Sequence, residues 1–376
     1  MKDKHPSLHD EPADGDRRTF LGATGAGILA TAFSGVARAE RSRPLRWGVV
    51  GTGRIANQMA PMIKLASSCE LAAVSSRNMA TAEAFASEHG AGAAFDSWLE
   101  MIASPGVDAI YIATPTSVRE EIAIVAANHG KHVLAEKPFS SLDSLRRITA
   151  ACNSNGVGFM DGTHFVHHPR TAQVRDSLPG VTGKPWSLDS AFQAGLADRG
   201  NIRFDPDLEP LGAVGDLGWY NMRAAVEYLA PDTVMTSANS IIRRDKITGA
   251  AVSGSGIIAF DDGSSMTWNC GFDSGALIID LRITGQDGVI AMSDFTVNRP
   301  DGSAAYTVRK GGFGAGGKTD VFEVASSQPG AALMFEDFAF MLGDAGKQAA
   351  SIRASERTQM LLDAAWQSAI ENESGG

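Results

Sequence analysis

Cysteine is scarce in this chain of 376 residues, which holds only Cys69, Cys152 and Cys270. An odd number at such wide spacing makes neither a disulfide framework nor a paired zinc motif. All three are read as small buried hydrophobes. Basic charge is also short: 33 Lys and Arg stand against 43 Asp and Glu, a formal net charge of −10 at pH 7. A protein that grips a phosphate backbone needs the opposite surplus, so nucleic acid is not an expected partner. Long apolar runs are missing too. The stretch after Leu21 is diluted by Gly22, Gly25, Gly27 and Gly35, whereas a membrane span needs about 20 predominantly apolar residues. Proline is limited to 15 residues while glycine reaches 41, a pattern of many tight turns without low complexity.

What is present suits a globular enzyme acting on small molecules. Hydrophobic residues make up 44% and charged residues 20% of the chain, enough to bury substantial cores. The length fits two domains of roughly 100–200 residues each.

The first 39 residues read as an address. Asp16-Arg17-Arg18-Thr19-Phe20-Leu21 precedes a charge-free Gly/Ala-rich run, and Ala37-Arg38-Ala39 is a small-x-small cleavage signal. The order resembles a twin-arginine export signal. It implies the twin-arginine translocase as a transient partner and a periplasmic location. Five basic and five acidic groups lie within residues 1–39, so the remaining chain keeps the whole −10.

From Leu45 onward short apolar runs alternate with helical stretches. Strands are expected at 45–50, 71–76, 108–113 and 132–135, and helices at 54–65, 80–89 (ended by Gly90) and 118–128. A further helix opens with a capping box, Ser140-x-x-Asp143, and runs to about Cys152. This alternation implies βαβ units and a parallel, doubly wound Rossmann sheet over 45–160. Beyond Asp161 strands are expected at 186–193, 234–242, 252–260, 264–272, 277–284 and 289–294, joined by turns such as Asp262-Gly263. Residues 161–376 therefore read as an α+β domain with a large, mainly antiparallel open sheet. Its helices are expected at 213–228, 331–342 and 355–370, and the Gly-rich stretch 311–317 as a loop. Met334, Phe335, Phe338 and Met341 fall at helical spacing and are expected in the core.

Gly51-Thr52-Gly53-Arg54-Ile55-Ala56 directly follows the first strand and opens the first helix. Gly51 permits the tight turn, Gly53 lets the backbone approach a pyrophosphate, and Ala56 allows close packing of helix on strand. The helix N-terminus stabilises phosphate charge. An NAD site would place Asp or Glu at the end of the second strand, but that end reads Ser75-Ser76-Arg77-Asn78, and Glu70 lies at the strand's other end. A hydroxyl followed by a guanidinium suits a 2′-phosphate, so NADP is expected over NAD, with Ser76 and Arg77 as its readers.

Two later segments carry chemistry. His132-Val133-Leu134-Ala135-Glu136-Lys137-Pro138 places Lys137 just beyond a strand's carboxyl end, where ligands of open α/β sheets bind. Gly215-Asp216-Leu217-Gly218-Trp219-Tyr220 places Asp216 and Tyr220 four apart, on one face of the expected helix. With Trp47–Ala56 and Tyr111–Pro115, these segments resemble the glucose–fructose oxidoreductase / inositol dehydrogenase / rhizopine catabolism (Gfo/Idh/MocA) family from about residue 45 to the C-terminus. The resemblance implies a Rossmann domain followed by an open sheet whose outer face often mediates homo-oligomer contacts. It implies Lys137, Asp216 and Tyr220 as the catalytic set, and adds Thr114, Pro115, Glu136 and Lys137 to the cofactor contacts Gly51, Thr52, Gly53, Arg54 and Ile55. Departures stand at Thr116 and Arg119, where many relatives carry Asn and His, and at Val166-His167-His168-Pro169, where the family reads Arg-Phe-His-Pro.

The expected activity is hydride transfer between a sugar or polyol and a tightly held nicotinamide cofactor, in a version that recycles the cofactor between two sugars. Tyr220 is expected to exchange the substrate proton with its pKa lowered by Lys137, and Asp216 to bind the adjacent hydroxyl. The alternatives are NAD-assisted glycoside cleavage and dehydrogenation of a trans-dihydrodiol or other alcohol. His164, His167 and His168 also invite a metal reading, against which Pro169 and the lack of a nearby thiol argue. The segment 195–211, with Arg199, Arg203 and Asp205, is expected to shape the pocket.

Overall fold

The computed structural model describes residues 43–229, 233–296, 302–312 and 317–374. The expected export signal lies outside the described residues. Strand β1 (Leu45–Val50) is buried over almost its whole length, as a continuous apolar strand covered on both faces must be. It pairs in parallel with β2 (Cys69–Ser75) on one side and β4 (Ala109–Ile112) on the other. With β3 (Ala93–Phe95), β5 (His132–Ala135) and β6 (Phe159–Asp161) the order is β3-β2-β1-β4-β5-β6, parallel throughout. The order reverses between β1 and β4, which opens a crevice beyond the strands' carboxyl ends.

Helices α1 (Arg54–Leu65), α2 (Met79–His89), α3 (Trp98–Ala103), α4 (Thr116–Asn128) and α5 (Leu142–Ser154) connect these strands. Helix α2 starts at Asn78, whose side chain accepts from Thr81 N, and ends at Gly90 in the left-handed region, where glycine carries no Cβ penalty. The cap of α5 sits one residue later than the sequence pattern places it. Ser141, not Ser140, accepts from Ser144 N, and the Asp363 carboxylate from the far end of the chain accepts from Leu142 N at 2.7 Å.

The second sheet contains β7 (Pro185–Gly195), β8 (Met235–Arg244), β9 (Ala251–Phe260), β10 (Ser265–Gly271), β11 (Asp273–Gly285), β12 (Val289–Met292), β13 (Ala304–Lys310) and β14 (Lys318–Val324). Its order is β14-β13-β12-β11-β7-β10-β9-β8, and every neighbouring pair is antiparallel except β7 and β10. Residues 313–316 of the Gly-rich β13–β14 connection lie outside the described residues. The register aligns Ile257, Thr267, Asp189, Arg282, Ala291, Thr307 and Val321 in one row across seven strands. That row faces outward, while the alternate positions Leu188, Met266, Leu281, Ile290 and Tyr306 are buried. Period-two alternation thus leaves the sheet one covered and one open face.

Helix α6 (Pro169–Val181) precedes this sheet, and the single helix expected at 213–228 is two: α7 (Gly212–Asp216) and α8 (Gly218–Tyr228). The break is the single residue Leu217, whose N–H still donates to Ala213 O. Helix α7 lies against β9, where Gly212 has φ +50° and any Cβ would collide with the Ala251 carbonyl. Helix α8 then crosses the covered face of the sheet. It is tied there by Asn221, whose amide donates to Ser190 O, Ser190 Oγ and Asn269 O at 3.0–3.1 Å. Asp216 closes α7 and Tyr220 stands in the first turn of α8, on either side of Leu217, and both turn toward Lys137.

The last two helices bind the halves together. Helix α9 (Gly330–Met341) buries Met334, Phe335, Phe338 and Met341 as expected, but against the first sheet. The fully buried Trp47 ring meets Phe335 at 5.1 Å and Phe338 at 5.0 Å between centroids. Helix α10 (Ala345–Ser374) reaches β6 through the Ser355–Asp161 hydrogen bond and the α5 approach through Gln359, which accepts from Phe139 N. Cys152 and Cys270 are buried, whereas Cys69 is only half-buried at the start of β2. No helix among the described residues is long and apolar enough to cross a membrane.

Phe338→Ala should destabilise the protein by about 3–5 kcal/mol, the usual cost of emptying a buried aromatic site. Urea unfolding monitored by Trp fluorescence checks this; an unchanged midpoint would show that α9 does not seal the first sheet.

Candidate active site

The crevice at the first sheet's carboxyl edge begins with the glycine loop. Gly51 has φ +102°, and a Cβ there would lie 2.9 Å from the Ala113 carbonyl, so only glycine lets β1 and β4 come this close. Around Gly53 a Cβ would meet nothing within 4 Å, and α1 starts there without any side-chain cap. Open space in front of uncapped N–H groups is what a phosphate requires. Two buried hydroxyls near these strand ends, Ser75 Oγ and Thr114 Oγ1, have no hydrogen-bond partner. Thr52 Oγ1 and Ser76 Oγ face each other at 3.2 Å, and Arg77 is exposed just beyond β2. This donor set fits a dinucleotide. Arg54 is exposed and Ile55 half-buried on the first turn of α1, and Pro115 stands at the N-cap position of α4.

Helix α4 also begins without a cap of its own. Glu209 supplies one, accepting from Thr116 N at 3.1 Å and from Thr116 Oγ1 at 2.6 Å. The buried Arg119 guanidinium donates to the carbonyls of Thr114 and Pro138. Arg119 thus ties the Thr114–Pro115 turn to the Lys137–Pro138 turn, and Thr116 carries the Glu209 cap.

Lys137 emerges from the end of β5 with its side chain 7% exposed. Its Nζ donates to Asp216 O and to Asp216 Oδ1, each at 2.7 Å. Arg203 approaches from the other side, with Nε 2.5 Å from Asp216 Oδ2 and Nη2 3.4 Å from Oδ1. Both oxygens of Asp216 are therefore engaged within the chain. Burial would raise the Asp216 pKa, but Lys137 and Arg203 outweigh it and hold the carboxyl well below the usual carboxylate range.

Tyr220 lies on the first turn of α8 with its ring beneath Lys137 Nζ, 4.8 Å from the ring centroid. Phe192 and Phe165 flank the ring at 5.4 and 6.2 Å, and the hydroxyl is 3.4 Å from His164 Nε2. The expectation that Lys137 lowers the phenol pKa does not hold. Lys137 sits over the ring face, and burial, then the Glu136 and Asp216 carboxylates, push Tyr220 well above its ordinary value. Tyr220 is consequently a protonated donor at neutral pH, suited to giving a proton to a carbonyl oxygen. His164 is held neutral: burial, then the charges of Lys137 and His167, bring it down to about 4.

Glu136 points inward. It accepts from Tyr111 OH at 2.6 Å and occupies space that a Cβ at Gly162 would enter at 2.9 Å. Burial raises its pKa, partly offset by Lys137 and the Tyr111 hydrogen bond. His168 packs beneath the site, bonding Gly302 O and capping α6 through Arg170 N. Trp219 points away into the core and donates to Thr163 Oγ1 at 2.6 Å. No group of three or more His, Cys, Asp or Glu among the described residues is arranged to hold a metal. The Arg203–Asp216 contact is not legible in the sequence, because the two lie 13 positions apart across largely irregular chain.

A parallel dinucleotide crevice with a lysine and a tyrosine at its mouth defines an oxidoreductase of the nicotinamide class. The model for the Gfo/Idh/MocA family, "Oxidoreductase family, NAD-binding Rossmann fold", matches residues 45–163. The D-xylose 1-dehydrogenase (NADP(+)) 2 of Haloferax volcanii is 32% identical over 233 residues, 61% of this chain and 70% of the relative. The scyllo-inositol 2-dehydrogenase (NADP(+)) IolU of Bacillus subtilis is 28% identical over 68% of this chain and 78% of its own length. Among solved structures, a 3-ketoreductase from Actinomadura kijaniata in complex with NADP and TDP-benzene superposes with a TM-score of 0.79 at 25% identity, covering 87% of this chain and 98% of that one. The chain belongs to the Gfo/Idh/MocA oxidoreductase family, and it is an NAD(P)-dependent oxidoreductase.

The raised phenol is directly testable. A pH difference titration of the wild type against Tyr220→Phe at the phenolate absorbance should show no ionisation of Tyr220 near its ordinary value of about 10. A full phenolate signal there would contradict the charge assignment.

Proposed function

We propose that this protein is an NADP-dependent sugar or polyol oxidoreductase that works outside the cytoplasm. The observation that carries the sugar chemistry is the Lys137 ammonium, fixed over the Tyr220 ring by Asp216. The relatives that act on D-xylose and scyllo-inositol support the substrate class. A nicotinamide held in this crevice would supply or accept the hydride. Tyr220 gives its hydroxyl proton to the substrate oxygen in reduction and recovers it in oxidation. Lys137 stabilises negative charge on that oxygen, and a preset cation of this kind costs no reorganisation during the reaction. Asp216 holds Lys137 in position, and Arg203 holds Asp216. Gly51, Gly53 and the α1 N-terminus would cradle the pyrophosphate, and Ser76 with Arg77 would read the 2′-phosphate.

The Arg17-Arg18 pair and the Ala37-Arg38-Ala39 site support export by the twin-arginine translocase in the folded state. A cofactor loaded before export would then be recycled between two sugars in the periplasm. The open face of the second sheet, with Ile241, Ile257 and Val321 exposed, is the surface we assign to contact with a second copy. Arg17→Lys with Arg18→Lys should retain the full-length chain in the cytoplasmic fraction; unchanged periplasmic recovery would refute export by this route.

NADP-linked turnover screened over D-xylose, D-glucose and scyllo-inositol tests the activity. Tyr220→Phe and Lys137→Ala should each lower turnover by at least about two orders of magnitude. Arg77→Ala should raise the KM for NADP far more than for NAD. Near-normal turnover in both site variants, or equal effects on the two cofactors, would overturn the corresponding assignment.

A further inference from the structure

Tyr220 is buried, and a buried proton donor must be recharged from water after each turnover. Lys137 does not do this: its Nζ is committed to Asp216 O and Oδ1 and faces the ring, not the hydroxyl. Among the described residues, the polar atom within hydrogen-bond distance of Tyr220 OH is His164 Nε2 at 3.4 Å. Contacts of this kind are commonly long before substrate arrives and tighten in the complex. His164 belongs to a 3-10 turn, His164–His167, in which residues three apart project to the same side. His167, also half-buried, has Nδ1 2.8 Å from Asp337 Oδ2 on α9, and the Asp337 side chain is 38% exposed. His164 is itself half-buried, so the side chain that meets the phenol also borders solvent.

We propose that His164 is the positioning and proton-relay partner of Tyr220, connecting its hydroxyl to water on the side of His167 and Asp337. The inference rests on the sugar oxidoreductase reading and gives a role to a residue that reading leaves unused. In reduction, the Tyr220 O–H bond breaks as its proton passes to the substrate oxygen and hydride reaches the adjacent carbon. The phenolate then takes the proton from Nε2–H of neutral His164, while Nδ1 takes one from water, and the hydroxide left behind is neutralised by bulk solvent, which thereby supplies the one proton that reduction consumes. The imidazole ends as its other tautomer with no net charge, and exchange with solvent restores the first. Oxidation runs the same transfers backwards. His164 is neutral at working pH, as a relay that passes a proton without holding a charge beside Lys137 must be.

The test uses the full mature protein and NADP-linked turnover of the best substrate among D-xylose, D-glucose and scyllo-inositol. His164→Ala should lower kcat about ten- to hundredfold with little change in KM, less than loss of a group that itself exchanges a proton with substrate. Added imidazole should restore turnover, whereas 1-methylimidazole, which fills the same space but cannot pass a proton from one nitrogen to the other, should not. His164→Gln, which keeps a hydrogen-bonding side chain, should stay as slow as His164→Ala. Full turnover in His164→Gln, or rescue by both imidazoles alike, would mean a merely structural role and overturn the relay. If the wild type turns over none of the three sugars, the sugar reading fails separately. The pair is then read without substrate by nitrogen NMR of ring-labelled histidine. Tyr220→Phe should shift the His164 Nε2 resonance, and an unshifted resonance would overturn the inference.

Discussion

The contact between Lys137 and Asp216 is the constraint on which the site depends. It joins the end of a strand in the parallel sheet to the end of a short helix on the antiparallel one, 79 residues away in the chain. A lysine whose side chain is only 7% exposed needs such a partner, because a buried charge left alone costs several kcal/mol. Asp216 meets that need with a carboxylate oxygen and its own backbone carbonyl. Arg203 then takes the second carboxylate oxygen, so that the anion is balanced by two cations. The consequence is a positive charge held over the face of Tyr220 before any substrate is present. Removing Asp216 would leave the buried Lys137 without its anion, at a cost of about 3–5 kcal/mol, whereas without Lys137 the carboxylate would keep Arg203.

The rest of the fold keeps that charge in place. Arg119 clamps the turn after β5 by donating to Pro138 O and Thr114 O, and Glu209 caps α4 through Thr116. The segment 195–211 is therefore a strap with defined attachments: Arg199 on Asp245, Arg203 on Asp216 and Glu209 on Thr116. It runs from the second sheet across the site to the first. Helices α9 and α10 close the same gap from behind, through Trp47 with Phe335 and through Asp161 with Ser355.

Much of this was legible in the sequence. Strands β1 and β5 and helix α1 fall at their expected residues because their periodicity and flanking glycines are unambiguous. Strands β3 and β6, three residues each, and α3, six residues, were not foreseen. Segments that short carry too little pattern to separate from loop, and only the neighbouring strand defines them. The break at Leu217 was hidden for a different reason: apolar spacing runs through it unbroken. Lys137, Asp216 and Tyr220 could be picked out from their motifs, but not the direction of the Tyr220 pKa. That direction depends on burial and on Glu136, a carboxylate 84 residues earlier in the chain. Local sequence says nothing about such neighbours.

The most direct measurement is a crystal structure of the protein with NADP and the best substrate from the sugar screen. The reacting oxygen should lie within hydrogen-bond distance, about 2.6–3.2 Å, of both Tyr220 OH and Lys137 Nζ. Asp216 should remain on Lys137. A substrate oxygen that reaches neither group, or a Lys137 side chain turned away from Tyr220, would contradict the claim that this preset cation and its tyrosine carry the chemistry.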